Sequence, residues 1–127
     1  MLDRFDLIIE VPEVSGDLLF ASKTAEASDK IGARVIAARS FAEENGLDSS
    51  FFAAAETTDH LLQNRNEIAA PAVELLKSAI AKRHLTARGF FRVLRVARTI
   101  ANLAATRQIQ RDHIAEALAY RMMLLLA

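Results

Sequence analysis

The chain has 127 residues, 16 Lys and Arg against 16 Asp and Glu, 52% apolar content and no cysteine. That length suits one compact domain and is short for two. Balanced charge argues against a dedicated polyanion binder, and the missing cysteines exclude disulfides, thiol nucleophiles and cysteine-based zinc sites.

Residues 1–14 contain the best strand of the chain, with a nearly continuous apolar run over 7–11 that Pro12 stops. No second strand of comparable quality follows, and a lone strand leaves its backbone donors and acceptors unpaired. The segment is therefore expected to be mobile or to pair with another chain, as if cut from something larger. Residues 15–22, with Gly16 and Asp17, read as a linker or turn that Leu18, Leu19 and Phe20 can anchor, which puts a domain boundary after residue 22. From 28 to 44 the spacing of Ile31, Val35, Ala38 and Ala42 predicts a helix, with Ser28 or Asp29 as cap and Asn45-Gly46 as terminator. Residues 51–64 mix Phe51, Phe52, Leu61 and Leu62 with Thr57, Thr58 and Asp59, and read as two short helical pieces or one irregular one. A helix is predicted over 71–83, opened by Pro71 and facing inward through Val73, Leu76 and Ile80, with Leu75 and Ala79 alongside. Lys82, Arg83 and His84 suit the negative end of its dipole.

Residues 85–103 organise the rest. Thr86 can cap a helix whose apolar side gathers Phe90, Val93, Leu94, Ala97, Ile100, Ala101 and Ala104 at about 100° per residue. Arg88, Arg92, Arg95 and Arg98 gather on the other side. For Arg92, Arg95 and Arg98 the expected role is a solvated stripe. Arg88 differs, because a rigid first turn can aim its guanidinium at an anion such as phosphate. After a bend over 106–110, a last helix is predicted over 111–125, with Ile114, Ala117, Leu118, Met122 and Leu125 inward. The expected fold is mainly α: a bundle of about four helices preceded by one strand or extended segment.

Several chemistries lack their residues. Gly16, Gly32, Gly46 and Gly89 are scattered, so no glycine loop cradles a triphosphate. His60, His84 and His113 have no metal-ligand spacing, and no metal site is expected; His113 reads as a surface or hydrogen-bonded residue. Glu43-Glu44 and Asp3/Asp6 read as solvated acids with no acid/base role. No basic leader precedes an apolar run at the start, and no stretch approaches the roughly 18 apolar residues of a membrane span, so a soluble cytoplasmic protein without membrane contact is expected.

Three segments carry a family resemblance. They are Leu2-Asp3-Arg4-Phe5-Asp6-Leu7-Ile8-Ile9-Glu10-Val11-Pro12, then Leu85-Thr86-Ala87-Arg88 followed by Val93-Leu94-Arg95-Val96-Ala97-Arg98-Thr99-Ile100-Ala101, and His113-Ile114-Ala115-Glu116-Ala117-Leu118-Ala119-Tyr120-Arg121. In this order they resemble the C-terminal part of magnesium chelatase-like AAA+ ATPases, the ComM (YifB) group, with Thr86 where relatives usually carry serine. The resemblance implies that residues 1–22 are the last strand of an ATPase core plus its linker and that 23–127 are the helical lid. It implies that Arg4 is a candidate arginine finger reaching a neighbouring subunit's γ-phosphate, and that Arg88 is the sensor 2 arginine contacting nucleotide.

The Walker A and Walker B motifs would lie upstream of Met1. ATP and Mg would then belong to the full-length protein only, with no cofactor and no enzymatic activity in this piece. The partners implied are the upstream core, neighbouring subunits of a hexamer and, for a motor of this group, DNA. A true magnesium chelatase ATPase subunit is the rival within the class. From another class, the chain could be a stand-alone helical DNA-binding or protein-interaction module using Arg88, Arg92, Arg95 and Arg98 with Lys82 and Arg83.

Overall fold

Apolar residues recurring every three to four positions demand a buried helical face, and the chain supplies four such faces in sequence. The computed structural model describes residues 5–20, 25–46, 67–82 and 85–122. In these, a single turn, α1 (Gly16–Leu19), is followed by α2 (Ser28–Glu44), α3 (Ala70–Ala81), α4 (Ala87–Leu103) and α5 (Arg111–Met122). The mainly α expectation holds. The readings for 51–64, Arg83, His84, His60 and Leu125 fall outside the described residues.

Helix α4 is the centre of the packing: it lies against α5 on one side and α2 on another, and α5 also packs on α3. Its start is fixed as the sequence predicts. The Thr86 Oγ1 accepts the Gly89 N–H at 3.0 Å, and the Thr86 carbonyl accepts the Phe90 N–H at 2.8 Å. Val93, Leu94, Ala97 and Ala101 are buried, with Phe90 and Ile100 partly so, while Ala104 at the helix end is exposed. The core continues through Ala72, Leu76 and Ala79 of α3 and Ile114, Ala117 and Leu118 of α5. Alanines supply many of these contacts, and a side chain of one methyl lets helices approach closely. Burial of roughly 25 cal/mol per Å² of apolar surface then acts on backbone-near atoms as well as on the leucines and isoleucines.

Two connections are tighter than the sequence suggests. Ile68 and Ile109 form an isolated parallel bridge: the Ile109 carbonyl accepts the Ala69 N–H and the Glu67 carbonyl accepts the Ile109 N–H, both at 2.9 Å. The bend after α4 is thereby tied to the entry of α3, with Ile68 and Ile109 both in the core. The end of α4 is a left-handed stop in which Ala105 has φ 50°, the Ala105 N–H reaches the Asn102 carbonyl and the Thr106 N–H reaches the Ala101 carbonyl at 2.8 Å.

Helix α2 corrects two expectations. Ala27, not Ser28 or Asp29, is its N-cap, and no side chain caps it. Only Ala38 and Ala42 are buried, whereas Ile31 and Val35 remain exposed, so the bundle seats the C-terminal half of this helix. Its end matches the prediction: Gly46 has φ 64°, and the Asn45 Nδ2 donates to the Phe41 carbonyl at 2.8 Å. In α3 the inward face is Ala72, Leu76 and Ala79, with Ile80 exposed, a rotation of about one residue from the predicted stripe.

The strand expected over 7–11 is absent among the described residues. Residues 5–14 are extended but join no ladder, because no described segment offers a strand beside them. Residues 5–9 lie instead beside α4 and α5, and residues 16–19 of the predicted linker wind into α1.

Candidate functional site

The candidate site is the capped start of α4 and the surface leading from it. Arg88 lies in the first turn, exposed, and its side chain makes no hydrogen bond or ion pair to any described residue. The N-terminal end of the helix carries a partial positive charge, and a second guanidinium lies against the same turn. That second group is Arg121 of α5. A Cβ added at Gly89 would meet Arg121 Nη2 at 3.1 Å and Thr86 Oγ1 at 3.3 Å, so the absent side chain of Gly89 leaves room for the guanidinium against the first turn. Arg4, the other predicted site residue, lies outside the described residues.

The remaining arginines of α4 part company. Arg92 is half-buried and donates through Nη1 to Asp6 Oδ1 at 2.7 Å. Arg95 is exposed, and its carbonyl accepts the Thr99 hydroxyl at 3.1 Å.

Arg98 overturns the solvated-stripe reading, being only 2% exposed. Its Nε donates to Asn102 Oδ1 at 3.0 Å, its Nη2 to the Thr106 carbonyl at 2.6 Å and its Nη1 to the Arg107 carbonyl. Burial pushes its pKa below the ordinary guanidinium value, an effect that Glu67 opposes and Arg107 reinforces. Arg107 in turn faces the Glu67 carboxylate at 3.4 Å and the Asn45 side chain at 3.4 Å. One oxygen of Glu67 is buried without a hydrogen-bond partner. This polar node joins the ends of α2 and α4 to the entry of α3 and the bend before α5.

His113 is hydrogen-bonded as expected: its Nδ1 accepts the Gln110 N–H at 3.0 Å, so it caps α5 from within the first turn. On the same helix the Tyr120 hydroxyl donates to Glu116 Oε1 at 2.9 Å, and that bond holds the phenol above its usual pKa. Between the N-terminal segment, α4 and α5 runs a groove of about 380 Å³, lined among others by Leu7, Ile9, Arg95, Thr99, Glu116 and Tyr120. Among the described residues no cluster of three or more His, Cys, Asp or Glu could hold a metal ion, and no helix is long and apolar enough to cross a membrane.

Sequence reasoning located Arg88 and Thr86 but missed Asp6, Glu67, Asn102, Arg107 and Arg121 as parts of the site's frame. For Arg98 a signal existed. Its neighbours four residues before and three after, Leu94 and Ala101, are fully buried, which puts Arg98 beside the apolar face rather than opposite it. Glu67 and Arg107 meet it through the bridge of 68 and 109, which no local pattern announces.

Residues 25–121 match the family model described as magnesium chelatase, subunit ChlI C-terminal, and the chain belongs to that family. It is 35% identical over 125 residues to competence protein ComM of Haemophilus influenzae, covering 96% of this chain and 23% of that protein. It is 33% identical over 124 residues to protein YifB of Salmonella typhimurium, covering 94% of this chain and 23% of the relative. A Mycobacterium tuberculosis protein is 30% identical over 121 residues, covering 95% of this chain and 24% of that protein. The chain thus spans about a quarter of the length of these curated relatives. No solved structure matches it.

Proposed function

We propose that this chain is the helical lid of a magnesium chelatase-like AAA+ ATPase, in which Arg88 binds a nucleotide phosphate and completes the ATP site of the full-length protein. The observation that carries the reading is Arg88 itself, an exposed guanidinium without a partner among the described residues, on a first turn held rigid by the Thr86 cap. A planar cation fixed at a helix start suits phosphate oxygens, because the guanidinium and the helix dipole act on the same anion. ATP and its Mg would be held mainly by an upstream core, and Mg would neutralise charge between the phosphates. Arg88 would add a positive contact from the lid side, so that bound nucleotide draws α4 toward the core and subunit motion follows phosphate state.

In the same reading Arg4 is the arginine finger offered to a neighbouring subunit, the assembly is a hexamer, and the work done is remodelling of DNA. The Haemophilus influenzae relative is named a competence protein. The stand-alone DNA-binding reading is less well supported, since a continuous basic stripe would be needed. Within α4, Arg98 is spent on internal carbonyls and Arg92 on Asp6, which leaves Arg88 and Arg95 as its exposed arginines, with Lys82 exposed before it and Arg83 outside the described residues.

Replacement of Arg88 tests the proposal. In the full-length protein, Arg88→Ala should lower ATP turnover at least about tenfold by removing one phosphate contact, with Arg88→Lys intermediate. Turnover within twofold of wild type in the alanine variant would remove Arg88 from the mechanism.

A further inference from the structure

We propose that Arg92 and Arg121 form a latch that docks the N-terminal segment onto α4 and α5, and so set the position of the Arg88-bearing helix relative to the chain upstream. The two arginines come from different helices and grip consecutive residues. Arg92 donates to the Asp6 carboxylate at 2.7 Å, across 86 positions of sequence, and Arg121 Nη1 donates to the Phe5 carbonyl at 3.4 Å, across 116. Apolar burial along the segment is partial: Ile8 is half-buried and Leu7 and Ile9 line the groove, while Phe5, Leu7, Ile9 and Val11 are 55%, 46%, 64% and 84% exposed, so the two polar contacts act beside a modest apolar contribution in fixing where the segment lies.

Arg92 is half-buried, with Nε lacking a hydrogen-bond partner and Nη1 making the charge-assisted bond to Asp6. Arg121 sits over Gly89, one residue after Arg88, in space that any side chain at 89 would invade. The latch therefore meets the first turn of α4 directly. A displacement of the segment moves the groups packed on that turn, and a rotation of α4 moves the segment. The link to nucleotide rests on the role proposed above for Arg88; the docking itself does not.

Charge reversal separates the two. In the 127-residue chain, ¹⁵N order parameters of the Asp6, Leu7 and Ile8 amides should approach those of α4. Asp6→Arg or Arg92→Asp alone should drop them below about 0.6, and the double reversal should restore them. Single variants that leave the order parameters unchanged would overturn the latch, as would a double variant that stays loose. In the full-length protein each single reversal should raise KM for ATP about five- to tenfold, and the double variant should recover most of it. A segment that loosens and recovers while KM stays constant would overturn its coupling to Arg88. Failure of the nucleotide reading is recognised separately, by normal turnover in Arg88→Ala.

Discussion

A guanidinium sealed inside a helical bundle needs its donors accepted, because a buried charge without partners costs several kcal/mol. Arg98 meets that demand with an amide oxygen on its own helix and two carbonyls of the bend that follows, which leaves Thr106 and Arg107 dependent on it. Lysine at this position keeps the charge but not the planar fork, and one ammonium cannot span acceptors arranged for Nε, Nη1 and Nη2. Arg98→Lys is expected to destabilise the chain by about 1–3 kcal/mol, read as a lower urea midpoint at constant slope. An unchanged midpoint would mean that the carbonyls find water instead. Arg95, three residues earlier and exposed, serves as the contrasting site: Arg95→Lys should change stability by less than about 0.5 kcal/mol.

Helix α4 owes its boundaries to two different devices. Its start is chemical, a hydroxyl accepting a backbone N–H, and is readable as Thr86. Its end is conformational and unadvertised, since Ala105 adopts φ 50° where glycine would be free of Cβ strain. The bonds from Ala105 and Thr106 back to Asn102 and Ala101, with Arg98 holding the next carbonyls, keep an unfavourable residue in place. Ala105→Gly should accordingly stabilise the chain by about 0.5–1 kcal/mol after the greater entropy of unfolded glycine is subtracted, measured as a rise in midpoint temperature. Destabilisation would show that this backbone is not strained. Helix α2 shows the opposite case, a stripe of correct period whose first half, Ile31 and Val35, is left exposed among the described residues. Period identifies a helix but does not say how much of it will be covered.

At the scale of the whole molecule, the lid reading makes this chain one side of an ATP site. Titration of ATP into the 127-residue chain should give no measurable binding up to about millimolar concentration, with no hydrolysis, because on the proposed reading Arg88 offers one phosphate contact. Binding tighter than that would indicate a complete site within the chain.

The helical class, the capped start of α4, its buried Val93, Leu94, Ala97 and Ala101, the inward Ile114, Ala117 and Leu118 of α5 and the family were all legible in the residues alone. These follow from local spacing, capping chemistry and linear motifs, which act within a few turns. The fate of the charges and of the N-terminal run depended on packing between distant segments. Arg98 was turned inward by the burial of Leu94 and Ala101, Arg92 was claimed by an aspartate 86 positions away, and residues 7–11 stayed extended without a ladder. The physical reason is common to all three: a charge or an unpaired backbone is placed by whichever partners the fold brings near, and those partners are distant in sequence.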